Sequence, residues 1–298
     1  MSWRFLLVEE GSQLYIRNHQ LIGVRENTEN SASFEDITLI VIESGVSITS
    51  NVLATCADYG IPVLFCNMKK MPSGFLYSIT NHSRNLSIAE KQIDCSIVFK
   101  GKVWQSIIKQ KIYNQSYVLG IYRPEESYRL YTLMNNVKRG DSLHCEATAS
   151  QLYFPFLFGD NFVREGYRDK NPNYINSLLN FGYAVFRARV ASTVVSFGLL
   201  PQFGVFHKNA LNPYNLADDM LEVFRPIVDR CVKNIVLGSN EKKINTKIKK
   251  ELILLLQSQV TIENERTSVL YAIEQMIKSF VRAIKNQDST LLQLPIIG

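Results

Sequence analysis

The sequence predicts an α+β protein, with a small N-terminal β-rich domain followed by a larger all-α domain. Three observations carry that prediction. Short runs of branched and aromatic residues crowd the first third of the chain. From Ser87 onward apolar residues recur at spacings of three and four, which is the helical period. Between them lies a polar stretch, Asn81-His-Ser-Arg-Asn-Leu-Ser87, that breaks both patterns. The expected bounds are residues 1–80 for the β-rich domain, 81–90 for a linker and 91–298 for the helical domain.

The elements follow in order. Arg4–Val8, Gln13–Arg17, Ile37–Ile42, Val63–Cys66 and Phe75–Ile79 read as strands between turn signals. Gly11-Ser12 separates the first two and predicts a hairpin. Thr49–Tyr59 reads as a helix stopped by Gly60 and followed by Pro62. In the second part, Trp104, Ile107, Ile108, Lys111 and Ile112 share a helical spacing. Glu125–Met134, Ser142–Phe158, Tyr174–Leu199, Pro213–Val232 and Glu263–Ile284 read as further helices. Asn212 and Pro213 fit an N-cap and first-turn pair. No internal repeat or low-complexity tract interrupts them.

Composition narrows the function class. A hydrophobic content of 46% over 298 residues supplies a sizeable core and excludes wholesale disorder. The 33 basic residues outnumber the 27 acidic ones, and the resulting charge of +6 is a mild pull toward a polyanion. The five cysteines (56, 66, 95, 145 and 231) form no Cys-x-x-Cys pair and are odd in number. That argues against a zinc ribbon and a disulfide framework, and for reduced thiols in the cytoplasm. No run approaches the roughly 20 apolar residues of a membrane span, and Met1–Glu9 lacks a signal peptide's apolar length. A soluble, cytoplasmic chain is expected.

The chemistry concentrates in a dispersed set of acids and one imidazole. Glu146 lies in Gly140-Asp141-Ser-Leu-His-Cys-Glu146, His207 in Gly204-Val-Phe-His207, and Asp219 with Glu222 in Asp218-Asp219-Met-Leu-Glu222-Val-Phe-Arg225-Pro226. Carboxylates hold a hard divalent cation while leaving coordination positions open for a phosphate, and an imidazole adds affinity. Asp219 and Glu222 sit three apart on one helix face. Ordinary readings stand beside this one. An acidic helix start is usually a solvated face favoured by the helix dipole, and a lone histidine is more often structural than a ligand. His144 points away from Glu146 on a helix, His19 and His82 fall in turn-like contexts, and Cys145 lacks a general base.

Basic residues supply candidates for phosphate contact. Lys242, Lys243 and Lys247 belong to a lysine-rich run following the acidic helix, and Arg84, Arg187 and Arg225 are further candidates. The alternative for such a run is a solvated helix end.

The linked motifs resemble those of a known family. Gly140-Asp141 with Glu146-Ala and Tyr153-Phe154, then Asn176–Asn180 with Phe-Gly-Tyr183 and Arg187, Gly198-Leu-Leu-Pro201-Gln-Phe-Gly204-Val-Phe-His207, and Asn212–Asp229 follow in order. They are similar to the CRISPR-associated spacer integrases, the "Cas-one" family, over residues 140–229, and look most like members from type II systems. The resemblance implies that Glu146, His207 and Glu222 are catalytic and bind Mg²⁺ or Mn²⁺. Asp219 fills a neighbouring acidic position, either beside the metal or on it. It further implies metal-dependent transesterification, in which the 3′-hydroxyl of a short double-stranded DNA fragment attacks a phosphodiester of CRISPR repeat DNA. Endonuclease activity, a homodimer through the β-rich domain, and complexes with the small "Cas-two" protein and other type II adaptation proteins are also implied. Two alternatives remain: a structure-tolerant DNA nuclease that does not integrate, and a catalytically idle DNA-binding scaffold.

Overall fold

The computed structural model describes residues 4–78, 85–165, 172–238 and 242–298. Its N-terminal part runs β1 (Arg4–Val8), β2 (Gln13–Arg17), β3 (Gln20–Arg25), β4 (Thr28–Ser33), β5 (Ile37–Ile42), β6 (Ser47–Ile48), α1 (Ser50–Asp58), β7 (Val63–Cys66) and β8 (Pro72–Leu76). Two four-stranded sheets result, ordered β1-β5-β7-β8 and β4-β3-β2-β6. In the first, β1, β5 and β7 are parallel and β8 is antiparallel to β7.

All six residues of β5 are buried, which explains its unbroken apolar sequence Ile-Thr-Leu-Ile-Val-Ile. Its alternate faces serve different cores. Ile40 and Ile42 pack with Leu14, Leu21 and Val52 between the sheets, while Leu39 and Val41 join the large helical core. The first sheet is thus a middle layer, covered on both sides.

Several expectations are corrected here. Gly11 does not turn a β1–β2 hairpin; with φ of 82° and its N–H bonded to the Gly45 carbonyl, it passes the chain from one sheet to the other. The hairpin lies between β2 and β3, where Asn18 and His19 (φ 52° and 60°) form a two-residue left-handed turn. β8 begins at Pro72, earlier than the expected Phe75, because the chain turns back tightly through Asn67–Met71.

The second part is mostly helical: α2 (Asn85–Ile93), α3 (Ile97–Tyr122), α4 (Pro124–Asn135), α5 (Cys145–Phe158), α6 (Tyr174–Ser196), α7 (Asn215–Leu221), α8 (Arg225–Gly238) and α9 (Thr246–Leu254). A hairpin, β9 (Gln259–Ile262) with β10 (Glu265–Ser268), and α10 (Val269–Asn286) complete it. α2 occupies part of the expected linker. The expected helix Glu263–Ile284 is corrected at its start: Glu263 and Asn264 (φ 52° and 65°) turn the β9–β10 hairpin, and Ser268 caps α10 by accepting the N–H of Tyr271.

The other helix starts shift for local reasons. α5 starts at Cys145 rather than Ser142 because Asp141 and His144 are left-handed, and the Asp141 carboxylate accepts the N–H groups of Cys145 and Glu146 at 2.8 and 3.0 Å. Asn212 does not cap a helix at Pro213; its Oδ1 accepts the N–H of Tyr214 in a turn, and α7 follows at Asn215. The run Pro213–Val232 divides into α7, a 3₁₀ turn at Glu222–Phe224 and α8. Pro226 lies in the first turn of α8, where its missing N–H costs no hydrogen bond.

α3 is the axis of this part. It is buried at Val103, Trp104, Ile107, Ile108, Ile112 and Leu119, and also at Lys111, Asn114 and Gln115. The chain's last residues return to it: Asn114 donates to the Pro295 carbonyl and accepts the N–H of Ile297. No helix among the described residues is long and apolar enough to cross a membrane.

Candidate active site

Glu146 and Glu222 reach the same place from different elements. Glu146 is in the first turn of α5, and Glu222 opens the 3₁₀ turn after α7. Both converge on Lys111 of α3, whose Nζ lies 2.5 Å from Glu146 Oε1 and 2.6 Å from Glu222 Oε2. The other Glu222 oxygen, Oε1, accepts from Arg225 Nε at 2.8 Å. The lysine side chain is 6% exposed, Glu222 7% and Glu146 35%, so the acids grade from interior to surface.

Burial alone pushes the Glu222 carboxyl up, but Arg225 and Lys111 outweigh it and hold it down at about 2. Burial likewise pulls the Lys111 ammonium down, and Glu222 and Glu146 more than reverse it. Glu222 Oε2, although against Lys111, receives no well-directed hydrogen bond. A buried acceptor without a directed donor is open to a cation.

His207 is built differently. It sits in the loop between α6 and α7, where the fully buried Asp219 carboxylate gathers the chain. Asp219 accepts the N–H groups of Val205, Phe206 and His207 at 2.6, 2.9 and 3.3 Å, and its Oδ1 is 2.5 Å from His207 Nδ1. Gly204 is required at this fold-back, since a Cβ there would lie 2.7 Å from Asp219 Oδ2. Trp104 of α3 stacks on Phe206 at 4.4 Å and meets the His207 ring edge-on at 5.7 Å. The hydrogen bond to Asp219 raises the imidazole pKa. With Nδ1 engaged, Nε2 is the nitrogen available to a ligand.

The expected ligands are therefore brought together in part. Glu146 and Glu222 share one cation, while His207 is turned onto Asp219. Among the described residues, no three His, Cys, Asp or Glu side chains form a group able to hold an ion as they stand. Asp219 contacts the Nδ1 side of the His207 ring.

A cavity of about 480 Å³ opens from this point, lined by Lys111, Glu146, Glu222, Arg225, Phe154 and Arg164 among others. Below it, Tyr183 lies under the Arg225 guanidinium at 4.5 Å and donates its hydroxyl to Asp229. Asp229 is buried, which pushes its carboxyl up to about 6.

The basic candidates divide. Arg225 is engaged with Glu222 and Tyr183. Arg187 is paired with Asp218 and lies over the Tyr214 ring at 5.4 Å. Lys242, Lys243 and Lys247 are exposed. Arg84 lies outside the described residues. The residue missed as part of a site is Lys111. Its signal was present: a lysine in the apolar set Ile107, Ile108, Ile112 needs a buried counter-charge.

With this geometry established, the comparisons with known proteins are consistent. The sequence profile of the family "CRISPR associated protein Cas1" matches residues 5–280. The CRISPR-associated endonuclease Cas1 of Neisseria meningitidis serogroup C is 36% identical over 300 residues, covering 100% of this chain and 97% of that protein. The CRISPR-associated endonuclease Cas1 1 of Francisella tularensis subsp. novicida is 26% identical over 244 residues, 75% of this chain and 76% of its own. Among solved structures, a casposase bound to integration product superposes with a TM-score of 0.79 at 18% identity, covering 96% of this chain and 91% of that one. A Cas1 protein from Thermotoga maritima gives 0.75 at 19% identity, covering 96% and 97%. A Cas6-RT-Cas1–Cas2 complex gives 0.78 at 17% identity, covering 98% of this chain and 36% of its own. The profile match and the curated relatives place the chain in a class of nuclease/integrase enzymes. Within that class, the chain belongs to the Cas1 family of CRISPR-associated proteins.

Proposed function

We propose that this chain is a metal-dependent DNA integrase of CRISPR adaptation, joining the 3′-hydroxyl of a short DNA fragment to a phosphodiester of the repeat. The observation that carries this reading is the meeting of Glu146 and Glu222 on one cation position, at the mouth of a cavity edged by Arg225 and Arg164. Two carboxylates suit Mg²⁺ or Mn²⁺, and the His207 imidazole, near enough to act on Glu222 electrostatically, offers a further nitrogen. When bound, such an ion supplies charge stabilisation to a phosphoryl centre and lowers the pKa of an attacking hydroxyl.

This chain's own residues do the rest. Glu146 and Glu222 offer oxygens, and Asp219 fixes His207 so that Nε2 is the outward nitrogen. Arg225 keeps Glu222 ionised and holds it in place through Oε1. Lys242, Lys243 and Lys247 are the exposed residues assigned to DNA phosphates, giving salt-sensitive binding. Arg187 is assigned to shaping the His207 loop through Asp218 rather than to free DNA contact.

The proposed assembly is a cytoplasmic homodimer through the β-rich domain, acting with a Cas2-type partner in a type II system. One solved neighbour is a complex of that composition in part, a Cas6-RT-Cas1–Cas2 complex. The test is to incubate the chain and its Cas2-type partner with Mg²⁺ or Mn²⁺, a labelled 3′-hydroxyl duplex and a repeat-containing plasmid, with His207→Ala in parallel. Label joined to plasmid by the wild type alone supports integration. Cutting without joining supports a nuclease instead, and metal-independent binding without chemistry supports a scaffold.

A further inference from the structure

We propose that Lys111 is a built-in counter-cation of the metal site: its ammonium holds Glu146 and Glu222 together before the ion arrives, and must give up their oxygens when it does. This rests on the reading that those two carboxylates are metal ligands. The geometry leaves little choice. Glu222 has two oxygens, and Oε1 is committed to Arg225 Nε at 2.8 Å. Oε2 is the one left to offer, and Lys111 Nζ stands 2.6 Å from it. The same nitrogen is 2.5 Å from Glu146 Oε1. Mg²⁺ binds carboxylate oxygen at about 2.0–2.1 Å, so ion and ammonium compete for the same space as well as the same charge.

The position of Lys111 in α3 fits this role. Ile107, Ile108 and Ile112 fix its backbone in the core. Without an acid partner, an ammonium there would be stranded in an apolar environment. Asn114, one turn along, donates to the Val223 carbonyl at 2.8 Å and so clamps the segment that presents Glu222. The helix that contributes no ligand thereby sets the distance between two of them. On release, the ammonium has somewhere to go, because Lys111 lines the cavity of about 480 Å³ that opens beside it. There its charge joins those of Arg164 and Arg225, which line the same cavity.

The test is Mn²⁺ binding to the full chain, followed by calorimetry and by electron paramagnetic resonance of free Mn²⁺, for wild type, Lys111→Met, Lys111→Gln and Glu222→Gln. Removing the competing cation is expected to tighten Mn²⁺ binding by at least about tenfold in both lysine variants, the change that one lost opposing charge near a partly buried site produces. Unchanged or weaker binding in a folded lysine variant overturns the proposal. Glu222→Gln separates the two levels. If it binds Mn²⁺ as the wild type does, the metal-site reading itself fails. If it loses binding while the lysine variants match wild type, only the Lys111 proposal fails. Should neither lysine variant fold, the wild type still decides through reductive methylation read by mass spectrometry. Lys111 is expected to be protected without metal and labelled several-fold faster with Mn²⁺, and equal protection in both states overturns the exchange.

Discussion

Two buried lysines in this molecule do different work. Lys249 of α9 is paired with Glu43, at the end of β5; their side chains are 1% and 2% exposed. Lys70 adds a second cation at 3.4 Å, and Glu10 donates its N–H to the same acid at 3.5 Å. Here cations outnumber the acid, the pair is sealed, and its consequence is to fasten α9 to the β-rich part. Thr246 strengthens the same join by donating to Glu9 at 2.6 Å. Around Lys111 the charges balance, with Lys111 and Arg225 against Glu146 and Glu222, and one of the acids is 35% exposed beside a cavity. A buried lysine is therefore not diagnostic by itself. A second acid shared by one ammonium and an open side distinguish a site from a latch.

The comparison is most sharply tested by breaking the latch. Glu43→Gln leaves the Lys249 ammonium buried without its principal counter-charge and should cost about 3–5 kcal/mol, seen as a lower urea midpoint at unchanged slope. Mn²⁺ affinity should not move. A parallel loss of metal binding would show that the two lysine centres are one coupled unit.

Asp229 gives the next largest effect. Its carboxyl is pushed from 3.8 up to about 6, so the folded protein holds that proton more tightly than the unfolded chain. Its cost to stability is absent below pH 3.8, grows as pH rises to about 6, and is complete above. Asp229→Asn should therefore gain on the wild type by up to about 3 kcal/mol between pH 4 and pH 7.5. Denaturant melts at both pH values check this, and a pH-independent difference would be the wrong outcome.

Smaller effects come from the rim of the site. Phe206→Leu removes the stack on Trp104 and should lower stability by about 1 kcal/mol. Strand joining should fall further than that stability loss explains, because His207 is the next residue; equal stability and equal joining would detach Trp104 from the site. Least of all for stability, Lys242→Ala, Lys243→Ala and Lys247→Ala together should stay within about 0.5 kcal/mol of wild type. Their mark should be a shallower dependence of DNA affinity on salt, measured by fluorescence anisotropy.

Much of this was legible in the residues, for physical reasons. β1, β2, β5 and β7 begin and end where branched residues and turn signals placed them. β3 was missed together with the polar strand β4, as was the pair β9 and β10. The turns joining β2 to β3 and β9 to β10 use left-handed residues without glycine, Asn18-His19 and Glu263-Asn264, and Glu26 between β3 and β4 is left-handed as well. α9 hid inside a lysine-rich run that read either as phosphate contacts or as a solvated helix end, yet Lys249 is among the most buried side chains. At the candidate site, Glu146, His207, Asp219 and Glu222 were named from the ordered motifs, and the fold brings Glu146 to Glu222 and Asp219 to His207. Lys111, a lysine among core isoleucines, signalled only that some buried counter-charge must exist; its partners could not be read, because they come from α5 and the turn after α7.

The two-faced strand β5 has a consequence for how the chain melts. Leu39 and Val41 belong to the helical core and Ile40 and Ile42 to the sheet core, so neither core closes without this strand. Composition divides the chain into two regions, but the backbone amides of β5 should open only when both regions do. In native-state hydrogen exchange those amides should be the slowest, exchanging at the free energy of global unfolding and reporting one cooperative unit.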